Sequence, residues 1–378
     1  MTNKNQSTKN LLIVGGGIAG MSLAIRMRAL GWAVDIVELD PNWRVYGAGI
    51  SVTAPTYRAF KRLGVLEDVV ARGYASFESL RMCDADGRVL SSPPMPVLEP
   101  GLPTHGGIMR PVLHTILSDR TRASGAQVRL GVTIERFTDT GSSVRVLTTD
   151  GATRDYDLMV GADGVFSKTR GQIFPEAPKP RYTGQYCWRM VAERPPEHTV
   201  CHMYSTGNLM AGAMPTSPTQ MYMFLLSTES PTLRLDPVTQ WQKLKQLMAP
   251  FGGLPGKLRD GIDAQSAIIA RPLESILLPL PWHRGRVALI GDAAHATTPH
   301  LASGAGISVE DALVLSELLG TSSSIETALQ LFEARRWERC RMVVENSVRI
   351  GELEQSHADH AQMGAIMVQS LLALRVDI

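Results

Sequence analysis

The spacing of apolar positions changes repeatedly along this chain, and each change marks an element. Residues 11–14 form an unbroken apolar run, the pattern of a strand buried on both faces. After Gly15, Gly17 and Gly20, the apolar positions Ile18, Met21, Leu23, Ala24, Met27 and Leu30 fall at helical intervals, and residues 33–37 return to a strand that ends at Glu38. Helical spacing predicts helices over 55–63 and 65–71, separated by Gly64, and Arg110-Pro111 opens another that reaches about Ala123, with proline where a first turn tolerates it. Residues 77–90 alternate with a period near two around Asp86-Gly87, a hairpin signal, whereas 91–107 carry Pro93, Pro94, Pro96, Pro100 and Pro103, which argue against a helix or a central strand. Strand-like runs follow at 128–130, 144–147 and 156–160. From 182 to 226 the chain reads as strands rich in Met, Tyr and Trp, with turns at 206–208 and 215–218, as expected of a sheet in a different layer. A helix is predicted over 238–248, then a Gly/Pro loop, then a buried-type strand over 286–290. Helices over 304–319, 325–349 and 357–374 complete the chain, the second with its charges on an outer face.

The first strand, turn and helix carry a specific chemistry. Gly15, Gly17 and Gly20 have G-x-G-x-x-G spacing: the first permits a tight turn, the second lets backbone approach a pyrophosphate, and the third lets the helix pack on the strand. Ile18 and Ala19 then sit in the first helical turn, whose free N–H groups face the phosphates. Glu38, with Leu39 beside it, closes the second strand about 20 residues on, where a carboxylate accepts the ribose hydroxyls of an adenosine. That acid disfavours a 2′-phosphate, so FAD or NAD fits better than NADP. Arg44 and the run Gly47-Ala48-Gly49 follow, small residues whose backbone can lie against a flat ligand.

Composition narrows the function classes. A chain of 378 residues suits two domains, or one with an insertion. A net charge of +2, without a run of basic residues, gives no field for nucleic acid. Cys83, Cys187, Cys201 and Cys340 are far apart and make no metal-ligand spacing, which favours free packing thiols in a reduced, cytoplasmic protein and no bound metal. Residues 1–10 are polar and glycines interrupt the apolar run behind them, against a secretion signal, and no stretch reaches the length of a membrane span.

Two further strand-to-turn elements repeat the design of the first. Taken together, VGGGIAG, GADGVFSKTR and LIGDAAHATTPHLASGAGISVEDA resemble the three motifs of the FAD-dependent aromatic hydroxylases, single-component flavoprotein monooxygenases of the p-hydroxybenzoate hydroxylase class, and Arg110 in MRPVLHTIL matches an arginine of that family. The resemblance implies an α/β fold: a Rossmann-like FAD-binding domain (residues 1–74, 106–177 and 285–378), an inserted mixed β-sheet substrate domain (75–105 and 178–284) and C-terminal helices. It implies FAD held also by Asp163 and Gly164 beside the pyrophosphate, by Gly291 and Asp292 at the ribityl chain, and by Pro299, Gly304, Ala305 and Gly306 at the ring. An N-cap is the competing reading of Asp292. Ala302-Ser303-Gly304 stands where many members read Gly-Gln-Gly, and Ala54-Pro55 where many read Pro-Asn.

The implied activity uses NADH or NADPH as a transient electron donor and O2 to hydroxylate an aromatic or heteroaromatic, phenol-like small molecule through a flavin C4a-hydroperoxide. A single nucleotide fingerprint, with no second one and no redox Cys pair, argues against a disulfide reductase. His300 and Pro299 in the flavin-facing turn, Arg189 in mid-strand, and Tyr222 are the candidate catalytic residues. The competing readings for His300 and Arg189 are a surface histidine and a structural ion pair. An FAD-dependent reductase or dehydrogenase acting on a lipid-like substrate, and a non-enzymatic flavin-binding regulator, are the alternative functions. The protein is expected to be a monomer or a homodimer.

Overall fold

The computed structural model describes residues 8–45, 47–207, 209–356 and 360–378. At its centre is a six-stranded sheet in the order His283–Arg284, Val287–Leu289, Leu158–Gly161, Asn10–Val14, Ala33–Glu38 and Gln127–Leu130. All neighbours are parallel except the short edge strand His283–Arg284. Leu11, Leu12, Ile13, Leu158, Met159, Val160 and Leu289 are fully buried. Such double burial is why these strands read as unbroken apolar runs. The helix Ile18–Ala29 packs one face against the helix Gly304–Thr321 and the helix Arg110–Ala123.

A second, seven-stranded sheet runs Ile268–Ser275, Arg181–Glu193, Gln220–Thr228, Met210–Pro215, His202–Ser205, Arg81–Cys83 and Val89–Ser91. Its strands come from two separated parts of the chain, and its one parallel pair joins them, so the sheet is mixed. One face, with Trp188, Tyr204, Met221, Met223 and Leu225, closes on Leu244, Met248, Phe251 and Ile262 from the segment beyond. The expected turn at 206–208 links two of these strands, with Asn208 outside the described residues. The long helix Ile325–Gln355 and the terminal helix His360–Ala373 finish the chain; Arg58 and Arg339 both donate to the carbonyls of Leu374 and Val376 and hold the end in place.

Four local expectations are corrected. The Gly/Pro loop after residue 248 contains a helix, Gly253–Asp260, because Pro255 falls in its first turn, where no backbone N–H is needed, and Arg259 caps the carbonyls of Ala249 and Phe251. The proline-rich stretch ends earlier than its composition suggests: His105–Met109 is the central strand of a three-stranded sheet between Gly49–Thr53 and Tyr74–Ser76. The run read as one strand over 156–160 is two, Thr153–Tyr156 in a separate three-stranded sheet and Leu158–Gly161 in the central one. The break falls at Asp157, whose N–H donates to Asn10 Oδ1 while its Oδ2 accepts from the Asn10 N–H, at 3.0 and 2.8 Å. A short helix, Lys168–Ile173, was not expected at all. All four cysteines are free and buried. Among the described residues no helix is long and apolar enough to cross a membrane.

The central layer depends on Gly20, where a side chain would collide with the Gly15 carbonyl. Gly20→Ala should destabilise the protein by about 1 to 3 kcal/mol, the range for overpacking a tight contact. Urea denaturation checks this, and an unchanged midpoint would show that the helix can shift at no cost.

Candidate active site

Three turns leave the same edge of the central sheet, and they touch because side chains are missing. At Gly15, which has φ +105°, a side chain would run into the Ala162 carbonyl of the second turn; at Gly291, with φ +59°, it would meet Ala19 and Ser308. Arg170, at the end of GADGVFSKTR, spans the second and third turns by donating to the carbonyls of Val165 and Ala293 at 2.8 and 2.9 Å. Gly17 is different. Nothing lies within 4 Å of where its side chain would be, and it begins the helix Ile18–Ala29 with no side-chain cap and no acid in the first turn. The helix Gly304–Thr321 likewise starts uncapped and without an acid in its first turn, with Gly304 and Ala305 half-buried at its start. Uncapped helix N-termini with free N–H groups suit an anionic or acceptor-rich ligand.

Glu38 holds the first turn shut. Its two carboxylate oxygens accept from Gly16 N and Asp40 N, both at 2.8 Å. Trp43, which has a left-handed φ of 48°, donates its indole N–H to the Gly16 carbonyl at 2.8 Å and stands edge-on to His114. This strained tryptophan gave no signal in the sequence beyond its place after a turn. Arg44 is exposed beside Asp40, 3.4 Å away, and Leu39 is exposed.

Behind the third turn lies a buried charge network. Asp311 Oδ2 accepts from Gly291 N at 2.8 Å and from His295 Nε2 at 2.6 Å, and its Oδ1 accepts from Arg336 at 2.8 Å. Arg336 also donates to Glu310, which pairs with Arg339 as well. Burial pushes the Asp311 carboxyl up, but the His295 and Arg336 charges win and hold it near 2. Burial would strip His295 of its proton, yet Cys340 and Asp311 raise its pKa well above the usual value. His295, Asp311 and Cys340 bring ligand-type atoms within 4.8 Å of one another. The Arg336 guanidinium, donating to both Asp311 and Cys340, supplies the positive charge there. Sequence reasoning quoted Glu310 and Asp311 within the third motif without giving them work; Arg336, 25 residues beyond Asp311, carried no local signal.

The three-stranded sheet that contains Gly49–Thr53 meets the seven-stranded sheet. The Ala48 carbonyl accepts from Arg110 N at 2.9 Å, a side chain at Gly47 would press on the Arg110 stem, and one at Gly49 would enter the Tyr222 ring. Gly47 and Gly49 therefore let this segment lie close to Arg110 and to the seven-stranded sheet. Strand register sets Arg189 beside Phe224 and Ile269, Phe224 beside Gly212, and Gly212 beside Met203. Around them, Cys201, Met214, Tyr222 and Leu80 pack on Ala48, and Cys187, Leu226 and Leu273 pack on Phe224. Tyr222 donates to or accepts from Ser51 Oγ at 2.6 Å, and burial raises its phenol pKa to about 12, so it stays neutral. Burial and the neighbouring Arg189 charge both lower the pKa of Arg110. Among the described residues, neither guanidinium has a hydrogen bond or ion pair from its side chain. Asp292 is exposed at the third turn; desolvation by the protein around it raises its carboxyl pKa, against the pull of the His295 and Arg110 charges. It sits in the first turn of Asp292–His295 behind the N-cap Gly291 and makes no cap bond.

Three expectations change in detail. The Asp163 carboxylate is taken up by the short helix that follows, accepting from Ser167 Oγ, Thr169 N and Thr169 Oγ1 at 2.6, 3.0 and 2.9 Å, so only the Gly164 backbone beside it stays open. Gly306 is buried where a side chain would strike Thr56, which makes it a helix-packing glycine. Pro299 is exposed at the turn, but the His300 side chain beside it is 2 % exposed with both ring nitrogens facing protein, so it presents no free nitrogen to a substrate.

A family model described as FAD binding domain matches residues 8–347. The chain belongs to this family of FAD-binding proteins. It is 32 % identical to the aurachin C monooxygenase/isomerase of Stigmatella aurantiaca, over 91 % of this chain and 89 % of the relative. It is equally 32 % identical to the 2-heptyl-3-hydroxy-4(1H)-quinolone synthase of Pseudomonas aeruginosa, over the same shares. Among solved structures, Klebsiella pneumoniae HpxO complexed with FAD and uric acid superimposes with a TM-score of 0.82 at 25 % identity, covering 98 % of this chain and 93 % of that one. The protein is thus a flavoprotein of the p-hydroxybenzoate hydroxylase class, an FAD-dependent monooxygenase by family, with the α/β fold of that class.

The geometry of this flavoprotein suits FAD. Gly17 has open space beside it, the helices starting at Ile18 and Gly304 lack side-chain caps, and among the described residues Arg110 and Asp292 make no side-chain hydrogen bond or ion pair, a set of donors suited to phosphates and an acceptor suited to hydroxyls. Glu38→Ala removes the carboxylate that fastens Gly16 and should weaken FAD binding by about 1 to 3 kcal/mol in a fluorescence titration, as for a charged partner lost from buried polar groups. Equal affinity would remove Glu38 from the adenosine end.

His295 predicts a pH dependence of stability. Because its native pKa is raised, its contribution is fully present below the ordinary histidine value of about 6.5 and is lost as pH rises from there through the native value. Asp311, with its pKa lowered, contributes above about 3.9 and loses that contribution as pH falls through its native value. The gap in melting temperature between the protein and His295→Gln should therefore shrink between about pH 6.5 and 9. A gap constant over that range would mean that His295 is neutral in the fold.

Proposed function

We propose that this flavoprotein uses NADH or NADPH and O2 to hydroxylate an electron-rich aromatic or heteroaromatic small molecule. Bound FAD would supply the hydride-accepting and oxygen-activating chemistry. The observation that carries the substrate reading is Arg189: a guanidinium without a protein counter-charge, set in a wall otherwise made of Cys187, Met203, Met214, Phe224 and Leu226. Such a wall excludes water and takes a flat apolar body, while the guanidinium favours a ring hydroxyl or enol in its anionic form. Deprotonation there makes the ring a better nucleophile toward an electrophilic oxygen. Tyr222, neutral and tied to Ser51, can orient the same group by a hydrogen bond. Two relatives are named for quinolone or aurachin chemistry, which supports heteroaromatic rings with an apolar appendage as the first compounds to try. A single dinucleotide fingerprint fits a nicotinamide that visits and leaves the same cleft.

The test begins with a yellow protein holding about one FAD per chain, followed by a screen of alkylated hydroxyquinolines, phenols, hydroxypyridines and purines for stimulated NAD(P)H oxidation and product formation. With the true substrate, oxidation should rise at least about tenfold, which needs only about 1.4 kcal/mol of differential stabilisation. Arg189→Met should retain FAD and lose about 10- to 100-fold in kcat/KM, the effect of one charge-assisted hydrogen bond. Unchanged kcat/KM in that variant would remove Arg189 from the substrate, and oxidation that never couples to a hydroxylated product would remove the reaction.

A further inference from the structure

His300 joins three elements that are remote in sequence. Its Nδ1 faces Thr298 Oγ1 at 2.8 Å within its own turn, and its Nε2 lies 3.1 Å from Gln185 Oε1 and 3.2 Å from Glu354 Oε2. Gln185 donates its amide to the same Glu354 oxygen at 3.0 Å, so histidine, amide and carboxylate close a ring of contacts. Both neighbours of Nε2 are acceptors, which fixes Nε2 as the proton-bearing nitrogen. Gly351 makes room for this group: a side-chain carbon there would stand 2.8 Å from both Gln185 Oε1 and His300 Cε1.

Each of the three elements borders the cleft or anchors what does. Gln185 lies two and four residues before Cys187 and Arg189 on the strand Arg181–Glu193, and strand alternation puts all three on one face. Glu354 lies in the last turn of the long helix that also carries Arg336, a member of the buried charge network. Pro299–Leu301 leads into Ala302, a non-glycine residue in the left-handed region at φ 48°, and then into the helix start at Gly304. Strained backbone of this kind persists only where its surroundings over-determine it. The His300 contacts supply that constraint.

We propose that His300 is a positioning residue that locks the 299–303 turn to the strand bearing Cys187 and Arg189, through Gln185 and Glu354. The ring side of the FAD site and the substrate wall then hold one fixed relative geometry. His300 acts through its neighbours and touches neither substrate nor cofactor. Only the kinetic part of its test rests on the monooxygenase reading.

The experiment compares FAD-loaded wild-type protein with His300→Ala, His300→Gln and Gly351→Ala. Melting temperature, FAD affinity, the visible spectrum of bound flavin and its quenching by iodide are measured first, and NADH oxidation without any aromatic compound second. His300→Ala and Gly351→Ala should bind FAD within about threefold of wild type, yet shift the flavin spectrum and raise iodide quenching at least about twofold, because the turn loses its fixed arrangement while the phosphate cradle is untouched. His300→Gln, whose amide can replace the Nε2 donor, should recover most of the wild-type signature. Uncoupled NADH oxidation should rise at least about fivefold in the two disrupted variants. A flavin spectrum and quenching identical to wild type in His300→Ala would overturn the proposal. So would loss of FAD affinity in step with melting temperature, or a His300→Gln protein as altered as His300→Ala. If wild-type protein oxidises neither NADH nor NADPH, the monooxygenase reading fails, while the spectrum and quenching still decide the role of His300.

Discussion

The structure depends on three strand ends being able to touch. Gly15 against the Ala162 carbonyl, Gly20 against the Gly15 carbonyl, and Gly291 against the Ala19 methyl leave no room for a further side chain, and the first and third contacts gather the three turns at one edge of the central sheet. The groups proposed to serve the cofactor stand around that convergence: two helix starts without side-chain caps, a carboxylate at Asp292 and a guanidinium at Arg110. Glycine is entropically expensive to order. The expense is offset by a preorganised set of N–H groups that do not have to be gathered when the ligand arrives.

Behind the cleft, polar groups rather than apolar packing hold the third turn. Asp311 serves Gly291, His295 and Arg336 at once, and Arg170 reaches from the second turn to the carbonyl of Ala293. Removing one partner from such a network leaves an uncompensated buried charge, which is far more damaging than never having had the pair. The network therefore makes the turn insensitive to small disturbances and intolerant of single substitutions.

Features built from local pattern were legible in the sequence. The glycine spacing, the helical periods after Gly20 and Gly304 and the acid at Glu38 each sit within a short stretch, and the helix from Arg110 to Ala123 matches its predicted limits. Partnerships between distant residues were not legible. Nothing near Trp43 announces that its indole seals Gly16, and nothing near His300 announces Gln185, more than a hundred residues earlier. The same limit applies to Asp163: nothing near it in the sequence announces that Ser167 and Thr169 of the following short helix take up its carboxylate. Pro255 misled for a different reason, since its penalty depends on its position within a turn that cannot be numbered until the helix start is known.

The alternation of the seven-stranded sheet divides its residues by task. Trp188, Met190, Met221, Met223 and Leu225 point to one side and complete a core with the helical segment beyond, while Cys187, Arg189, Met203, Met214 and Phe224 point to the other. Adjacent positions along a single strand thus answer to separate selective pressures. Descendants of this chain can exchange the outward set for new chemistry while the inward set goes on specifying the same scaffold, so diversification of the preferred molecule requires no renegotiation of foldability.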